Sequence, residues 1–441
     1  MTRFGLVAML WAACAGEKET DTTIIPADAD TDTDSDTDSD TDADADSDAD
    51  TDVDRCAPLT PPSDAIPVAE GEDLAAAVAA APDGAVLALA AGTWVLSAPL
   101  TLDHPVTLVS ADADAASVTL DGDYVASNLV QIASPDVTVA HLTLTRSFDD
   151  LLVVAPGSDR ATVHGVSFVD SARYGLVATS DWDAGTFTDD GVVSCSSFAL
   201  TDAGRDEVRG ECVTGGVDLY GVRGWTVRDD TFDDFWCPFG VSGPGIRATR
   251  GVRDTVITRN VLRDVAFGIV LGETQDQIGR VYDDLPCGTA AVLQSVDGVV
   301  TNNLVSAYDD DLLVSDGGVL TGIRTESSCE ALVAHNSVYA GVTPVSSSIE
   351  QRYDTTTGLV ANNLLSDKAI RTDGALADVA GNLETVQFDT WLFPAGNDFH
   401  TSPGASWAID QGDVSTLGLV IDDIDGELRS DGQLDIGADE Q

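Results

Sequence analysis

The sequence predicts an all-β protein, a right-handed parallel β-helix solenoid with a short N-terminal capping helix. Three observations predict it: a local register that recurs eight times, a second series of short strands between the copies, and almost no helical periodicity. Each copy starts at an apolar anchor, Val139, Val163, Val193, Val227, Ile257, Val300, Val333 or Val360. Five residues on stand Leu144, Phe168, Phe198, Phe232, Leu262, Val305, Val338 and Leu365, all apolar. At 43% apolar composition, eight matches at one offset arise by chance about once in a thousand. The anchors lie 24 to 43 residues apart, which fits one coil per copy with loops of varying length inserted.

Each copy reads as a short strand, a turn and another short strand, as in Thr255 to Leu262. Three residues after the anchor, Asp230 is followed by Asn260, Asn303, Asn336 and Asn363. Asn at one register in successive coils predicts an amide ladder running from coil to coil. The strands between the anchors are Tyr174 to Val177, Phe267 to Val270, Thr321 to Arg324 and Ser347 to Glu350. Since each coil contacts only its neighbours, such a domain escapes the usual size limit of a single core.

Asp73 to Gly84 reads as a short helix and turn, followed by strands at Ala85 to Leu89, Gly92 to Trp94 and Val106 to Val109. A cap is physically necessary there, because an open solenoid end exposes apolar core and unpaired strand edges. With these elements in place the chain resembles the pectate-lyase-like β-helix proteins, in which such a helix and turn close the first coil. Four C-terminal segments, Asn397 to His400, Ser406 to Asp413, Asp423 to Arg429 and Asp435 to Glu440, resemble the choice-of-anchor Q terminal module found on such proteins. The resemblance covers residues 67 to 441. The division it implies is β-helix over 56–390 and C-terminal capping module over 391–441.

The N-terminal residues 1–13 carry Arg3 and an apolar stretch from Phe4 to Ala13, too short to span a bilayer and readable as an export signal. Leu10-Trp11-Ala12-Ala13-Cys14 resembles the lipobox of bacterial lipoproteins, although Trp11 stands where that family prefers Leu. The resemblance implies lipid on Cys14 and an outer-membrane lipoprotein; ordinary cleavage and secretion is the alternative. From Asp28 to Asp54 every even position is Asp. Such a tract repels itself and buries nothing, so residues 14–55 read as anchor and solvated spacer. A calcium array there would need turn glycines that are absent.

The whole chain has 76 acidic and 21 basic residues, a net charge of −55. Beyond residue 55 there remain 59 acidic and 18 basic residues, or −41. With only Lys18 and Lys368 as lysines and no basic run, nucleic acid and anionic lipid surfaces are excluded as partners. If Cys14 takes lipid, six cysteines remain: Cys56, Cys195, Cys212, Cys237, Cys287 and Cys329. An even number in an exported chain predicts up to three disulfides. Cys195 with Cys212, closing the excursion Ala199 to Gly210, is the pairing expected.

Candidate chemistry is sparse. Relatives implied by the resemblance include polysaccharide lyases and hydrolases that work in a groove along the strands. Asp149-Asp150 and His164-Gly165 match fragments of the polygalacturonase pattern, but its Asn-Thr-Asp and Arg-Ile-Lys are absent and His164 lies beside an anchor, in the wrong strand series. Aligning Gly322 to Glu326 with Ser348 to Arg352 sets Arg324 beside Glu350 and Glu326 beside Arg352 on an exposed face. These four are the catalytic candidates, one Glu serving as acid or base; a cross-strand salt-bridge ladder is the structural alternative. Asp309, Asp310 and Asp311 are the candidate Ca2+ ligands, and no other cofactor is expected. His141 and His335 share one repeat position, which favours a structural role. A copper-loading β-helix factor is disfavoured by two Met and no His or Cys cluster.

The reading that results is an exported, lipid-anchored, monomeric surface protein with a non-catalytic adhesive, glycan-binding or architectural role, its partner an extracellular polysaccharide. The alternative is a polysaccharide lyase or glycoside hydrolase acting in the groove.

Overall fold

The computed structural model describes residues 55–208, 212–273, 277–340, 347–385, 390–393, 398–429 and 432–441. The signal segment, Cys14 and the Asp tract lie outside these residues. No helix among the described residues is long and apolar enough to cross a membrane.

The described residues wind into a parallel β-helix with three faces: sheets of twelve, eleven and ten strands, in each of which all neighbours are parallel and separated by a full coil. One coil contributes Val256–Thr258 to the twelve-stranded sheet, Val261–Arg263 to the eleven-stranded sheet and Phe267–Leu271 to the ten-stranded sheet. The eight anchors pair with one another in unbroken register from Val139 to Val360. The second apolar series does the same from Leu144 to Leu365. All sixteen side chains are buried, because alternation along a strand sends every second residue inward. Both series continue towards the N-terminus, through Leu87 and Leu108 on one face and Trp94 and Leu120 on the other.

The corner between the twelve- and eleven-stranded sheets is made by backbone conformation. Two residues after each anchor stand His141, Gly165, Cys195, Asp229, Arg259, Asn302, His335 and Asn362, all with φ between 50° and 62°. L-residues seldom adopt this left-handed region, and a single residue there turns the strand sharply. The next residue points inward and carries the ladder. Ser196 N donates to Asp230 Oδ1, Asp230 N to Asn260 Oδ1, and the chain of bonds runs on through Asn303, Asn336 and Asn363 to Asn382, each between 2.7 and 3.1 Å. The ladder is thus longer at both ends than the run of Asn suggests.

Inside, the Phe168, Phe198 and Phe232 rings stack in successive coils at 4.5 and 4.7 Å. They fit because Gly216 lies opposite: a Cβ there would come within 2.4 Å of the Phe232 ring. The first coil is covered by the helix Leu74–Ala80, whose N-cap Asp73 accepts from Ala76 N at 3.0 Å and which buries Leu74 and Val78.

Among the described residues three disulfides are present: Cys56–Cys195, Cys212–Cys237 and Cys287–Cys329. They place the folded chain in an oxidising, extracytoplasmic compartment. The expected Cys195–Cys212 pairing is therefore incorrect. Cys195 sits at the corner beside the eleven-stranded sheet, whereas Cys212 precedes a strand of the ten-stranded sheet, Gly215–Tyr220. Closeness in sequence is not closeness around a coil.

Cys56 belongs to a strap that runs lengthwise along that corner. Leu59 N donates to His141 Nε2 at 2.8 Å, His164 Nε2 meets Ala57 O at 3.2 Å, and Arg55 Nη2 donates to Ile424 O at 3.3 Å. Towards the C-terminus the same flank is covered by the terminal segment. Its Ala405, Ala408, Ile424, Ile436 and Ala438 pack on Leu304, Tyr339 and Leu364, while Asn362 accepts from Asp413 N and His335 Nε2 meets Thr416 Oγ1 at 2.8 Å. The contacts of the described C-terminal residues are thus with the side of the late coils. His141 and His335 both act as fasteners for covering segments.

Candidate functional site

The outer face of the ten-stranded sheet carries a row of charged side chains. In each coil a Gly or Ser is followed by an inward apolar residue and then an outward one, which gives Val177, Asp218, Arg247, Val270, Arg324 and Glu350 in consecutive strands. Two residues further along stand Tyr220, Glu326 and Arg352. The inward neighbours Val217, Ile246, Ile269, Ile323 and Ile349 are all fully buried, so the outward row is held on a rigid support.

The four residues singled out from the sequence come together. Arg324 stands opposite Glu350 and Glu326 opposite Arg352, with Arg324 Nε to Glu350 Oε2 at 3.1 Å and Arg352 Nη1 to Glu326 Oε1 at 2.8 Å. Diagonal approaches of 3.6 Å (Arg324 to Glu326) and 3.9 Å (Arg352 to Glu350) close the ring of charges. The face is more covered than expected: Glu326 is 1% exposed. Its Oε2 is buried without a hydrogen-bond partner. Burial raises the Glu326 pKa, against the pull of Arg352 and Arg324.

A second pair was not anticipated. Arg247 grips Asp218 with two bonds, of 2.8 and 2.6 Å, and reaches Glu273 at 2.8 Å and the Tyr220 hydroxyl. Burial alone would lower the Arg247 pKa; the bond and charge of fully buried Asp218 reverse this and raise it. Its guanidinium lies over the rings of Tyr174 and Tyr220 at 5.2 and 5.3 Å, as that of Arg324 lies over Phe267 at 4.7 Å. Beside Arg247 opens a depression of about 270 Å³, bounded by Tyr174, Phe267, Glu273, Cys212 and the loop at Val241 to Pro244. The Cys212–Cys237 disulfide ties its wall. The signal for this pair was in the sequence: Gly216-Val217-Asp218 and Gly245-Ile246-Arg247 repeat the pattern of Gly322-Ile323-Arg324.

Asp150 sits on the same face, one coil before Tyr174, whose N–H it accepts at 3.1 Å. Burial pushes its carboxyl up to about 6, with Arg173 opposing. His164 is not with it. It lies on the twelve-stranded sheet, with Nδ1 3.0 Å from Ser194 Oγ.

Asp309, Asp310 and Asp311 begin a short helix, Asp310–Val314. Asp309 caps it by accepting from Asp311 N and Leu312 N at 2.8 and 3.0 Å, which engages its Oδ1 in the helix end. Among the described residues the carboxylates that converge, within 4.8 Å of one another, are Asp423, Asp425 and Asp439. Asp423 accepts from Glu427 N and Glu440 N, and Asp439 from Thr401 N, so two of the three knit the terminal segment together.

No family model and no curated protein matches the chain. Among solved structures, a pectate lyase, Pel9A, aligns over 85% of this chain and 96% of its own, at 12% identity and a TM-score of 0.46. An alginate lyase from Paenibacillus sp. str. FPU-7 aligns over 71% and 96%, at 15% identity and a TM-score of 0.39. The catalytic unit of a GH87 α-1,3-glucanase from Streptomyces thermodiastaticus strain HF3-3 aligns over 74% and 70%, at 12% identity and a TM-score of 0.40. The likeness is to the path of the chain, and at these identities no residue's role is transferred.

Proposed function

We propose that this protein is an exported glycan-binding solenoid, held at the cell surface by lipid on Cys14 and an Asp-rich spacer, which holds a polysaccharide along the outer face of its ten-stranded sheet without cleaving it. The observation that carries this reading is the state of the charged groups. A linear face of rigid strands about 4.8 Å apart, with guanidinium planes laid over aromatic rings and a depression beside them, suits an extended polymer with repeated polar groups. Glycan cleavage needs a free acid and a free base or nucleophile facing the bond. Here Asp218, Glu326 and Glu350 are each bound to an arginine.

The test is a glycan array combined with a reducing-end assay on the positive glycans. The expected result is retention without release of reducing ends, with Arg324→Ala weakening retention. A second reading, a hydrolase or lyase, is favoured by Asp150 alone, since a carboxyl at about 6 retains a proton in mildly acidic medium and can protonate a leaving group. Turnover that disappears in Asp150→Asn would establish that reading and overturn the first.

A further inference from the structure

We propose that the groove takes a glycan free of acidic groups, neutral or amino-bearing, and rejects polyuronates; this rests on the reading that the face holds a polysaccharide. A uronate carboxylate needs a cation whose own bonds are open, and two-point Arg binding is the strongest arrangement proteins offer it. Among the described residues the guanidinium groups on this face are Arg173, Arg247, Arg324 and Arg352, and every one already has an acid. Arg173 lies 3.7 Å from Asp150, Arg247 holds Asp218 and Glu273, Arg324 holds Glu350, and Arg352 holds Glu326 and approaches Asp373 at 3.8 Å. Among the described residues six carboxylates therefore face four guanidinium groups. An incoming uronate would meet, beside each guanidinium, a carboxylate that is covalently fixed there, repels it and competes with it for the same donors.

The depression beside Arg247 points the same way. Among the described residues its charged lining is Arg247 and Glu273, with side-chain exposures of 12% and 47%. The charge offered to a ligand is thus the carboxylate. Glu273 accepts hydrogen bonds from hydroxyl or ammonium groups and repels an acid. Tyr174, whose hydroxyl is buried and without a hydrogen-bond partner, also lines this depression. A hydroxyl both donates and accepts, which matches a sugar hydroxyl better than an acceptor-only carboxylate. At longer range the net charge of −41 on the folded part opposes a polyanion out to a screening length of about 8 Å at physiological salt.

The experiment uses the full chain on an array printed with neutral, amino and uronic hexasaccharides in both anomeric linkages, followed by calorimetry of the best member of each class. Neutral or amino hexamers should bind at least about tenfold more tightly than uronic ones. Glu273→Gln should narrow any preference for amino over neutral hexamers by severalfold, and added salt should do the same. Uronic hexamers that bind as tightly as the others would overturn the proposal and leave the glycan-binding reading intact. An array on which no class binds would overturn both.

Discussion

The coils up to Val227 and those beyond it share one backbone path but are held together by different means. At the inward corner position the early coils begin with Leu142 and Val166, both buried, before Ser196 and Asp230 start the ladder, and their centre is the Phe168, Phe198, Phe232 stack. At the same position the later coils carry Asn260, Asn303, Asn336, Asn363 and Asn382. Their interior turns polar on the ten-stranded side, where Thr325 and Gln351 are buried in line with Leu219 and Leu271. The early coils thus rely on non-directional apolar burial, and the later ones on directional bonds plus a flank covered by the terminal segment. Apolar packing tolerates small shifts between coils. A hydrogen-bond ladder does not, so the later coils are fixed more strictly in register, and these carry the Arg324, Glu326, Glu350, Arg352 ring.

The comparison breaks most visibly in the early half. Phe198→Ala removes the middle ring of the stack and leaves a cavity between two aromatic faces, for which a loss of about 3–5 kcal/mol is expected. Thermal melting by circular dichroism should show one transition at a much lower temperature, and an unchanged melting temperature would mean that the stack is not what holds these coils. In the later half the matching change is Asn303→Leu, which imposes the early solution on a late coil. Asn303 Oδ1 accepts from Asn260 N and Asn260 Nδ2, and its own Nδ2 donates to Ile257 O and Asn336 Oδ1. Leu removes all four of these bonds and leaves the buried Asn260 N–H without its acceptor, at about 2–4 kcal/mol in all. Urea unfolding should show it, and a loss under about 1 kcal/mol would make the ladder incidental.

How much of this was legible follows from which physical constraint leaves a mark on residue type. Inward strand positions must be apolar, so the anchors and their partners are readable from Val139 to Leu365. The Asn run is readable because an amide both donates and accepts at one site. Its extension through Ser196 was not, since many residue types offer an oxygen. The left-handed corner uses His, Gly, Cys, Asp, Arg and Asn in turn; what these share is φ, which leaves little trace in composition. Gly165 is the exception, because a Cβ there would lie 2.5 Å from the His141 ring. On the candidate face, the Arg324 and Glu350 pairing was legible because both strands carry the same motif, whereas the disulfides join segments whose nearness depends on position around the coil.

Titration sharpens the comparison further. His335, buried in the later half, is held down to about 3 by burial and then by the charge of Arg429. A histidine whose folded pKa lies below its unfolded value of about 6.5 binds its proton more readily when unfolded. Its contribution is therefore complete above pH 6.5 and is lost progressively as the pH falls towards 3. Asp150, Asp234 and Asp439, raised by burial to about 6, act with the opposite sign: their folded forms hold protons that the unfolded chain releases, so they stabilise below pH 4 and lose this between 4 and 6. The difference between the native chain and His335→Gln isolates the first effect. Between pH 7 and pH 5 the native chain should lose about 2 kcal/mol more than the variant. Parallel curves would mean that His335 is not neutral at the flank.

The smallest expected effect lies at the boundary between the two regimes. Asp230 occupies a ladder position as an acid. Its Oδ1 accepts from Ser196 N at 2.7 Å, but its Oδ2 is buried without a partner. In each coil that follows, the Asn amide donates to the carbonyl of the preceding anchor: Asn260 to Val227, Asn303 to Ile257, Asn336 to Val300 and Asn363 to Val333, all at 2.9–3.0 Å. A carboxylate has no hydrogen to place there, and complete burial raises the Asp230 pKa well above the usual range. A carboxyl raised in the folded state contributes stability that is present at low pH and lost as the pH rises. Asp230→Asn supplies the missing donor at every pH. It should therefore stabilise the protein by about 1 kcal/mol at pH 8 and change little at pH 4.5, where the native acid carries its own proton. Equal gains at both pH values would show the acid to be charged at both, and a loss at pH 8 would show that the late-coil geometry does not reach back as far as Asp230.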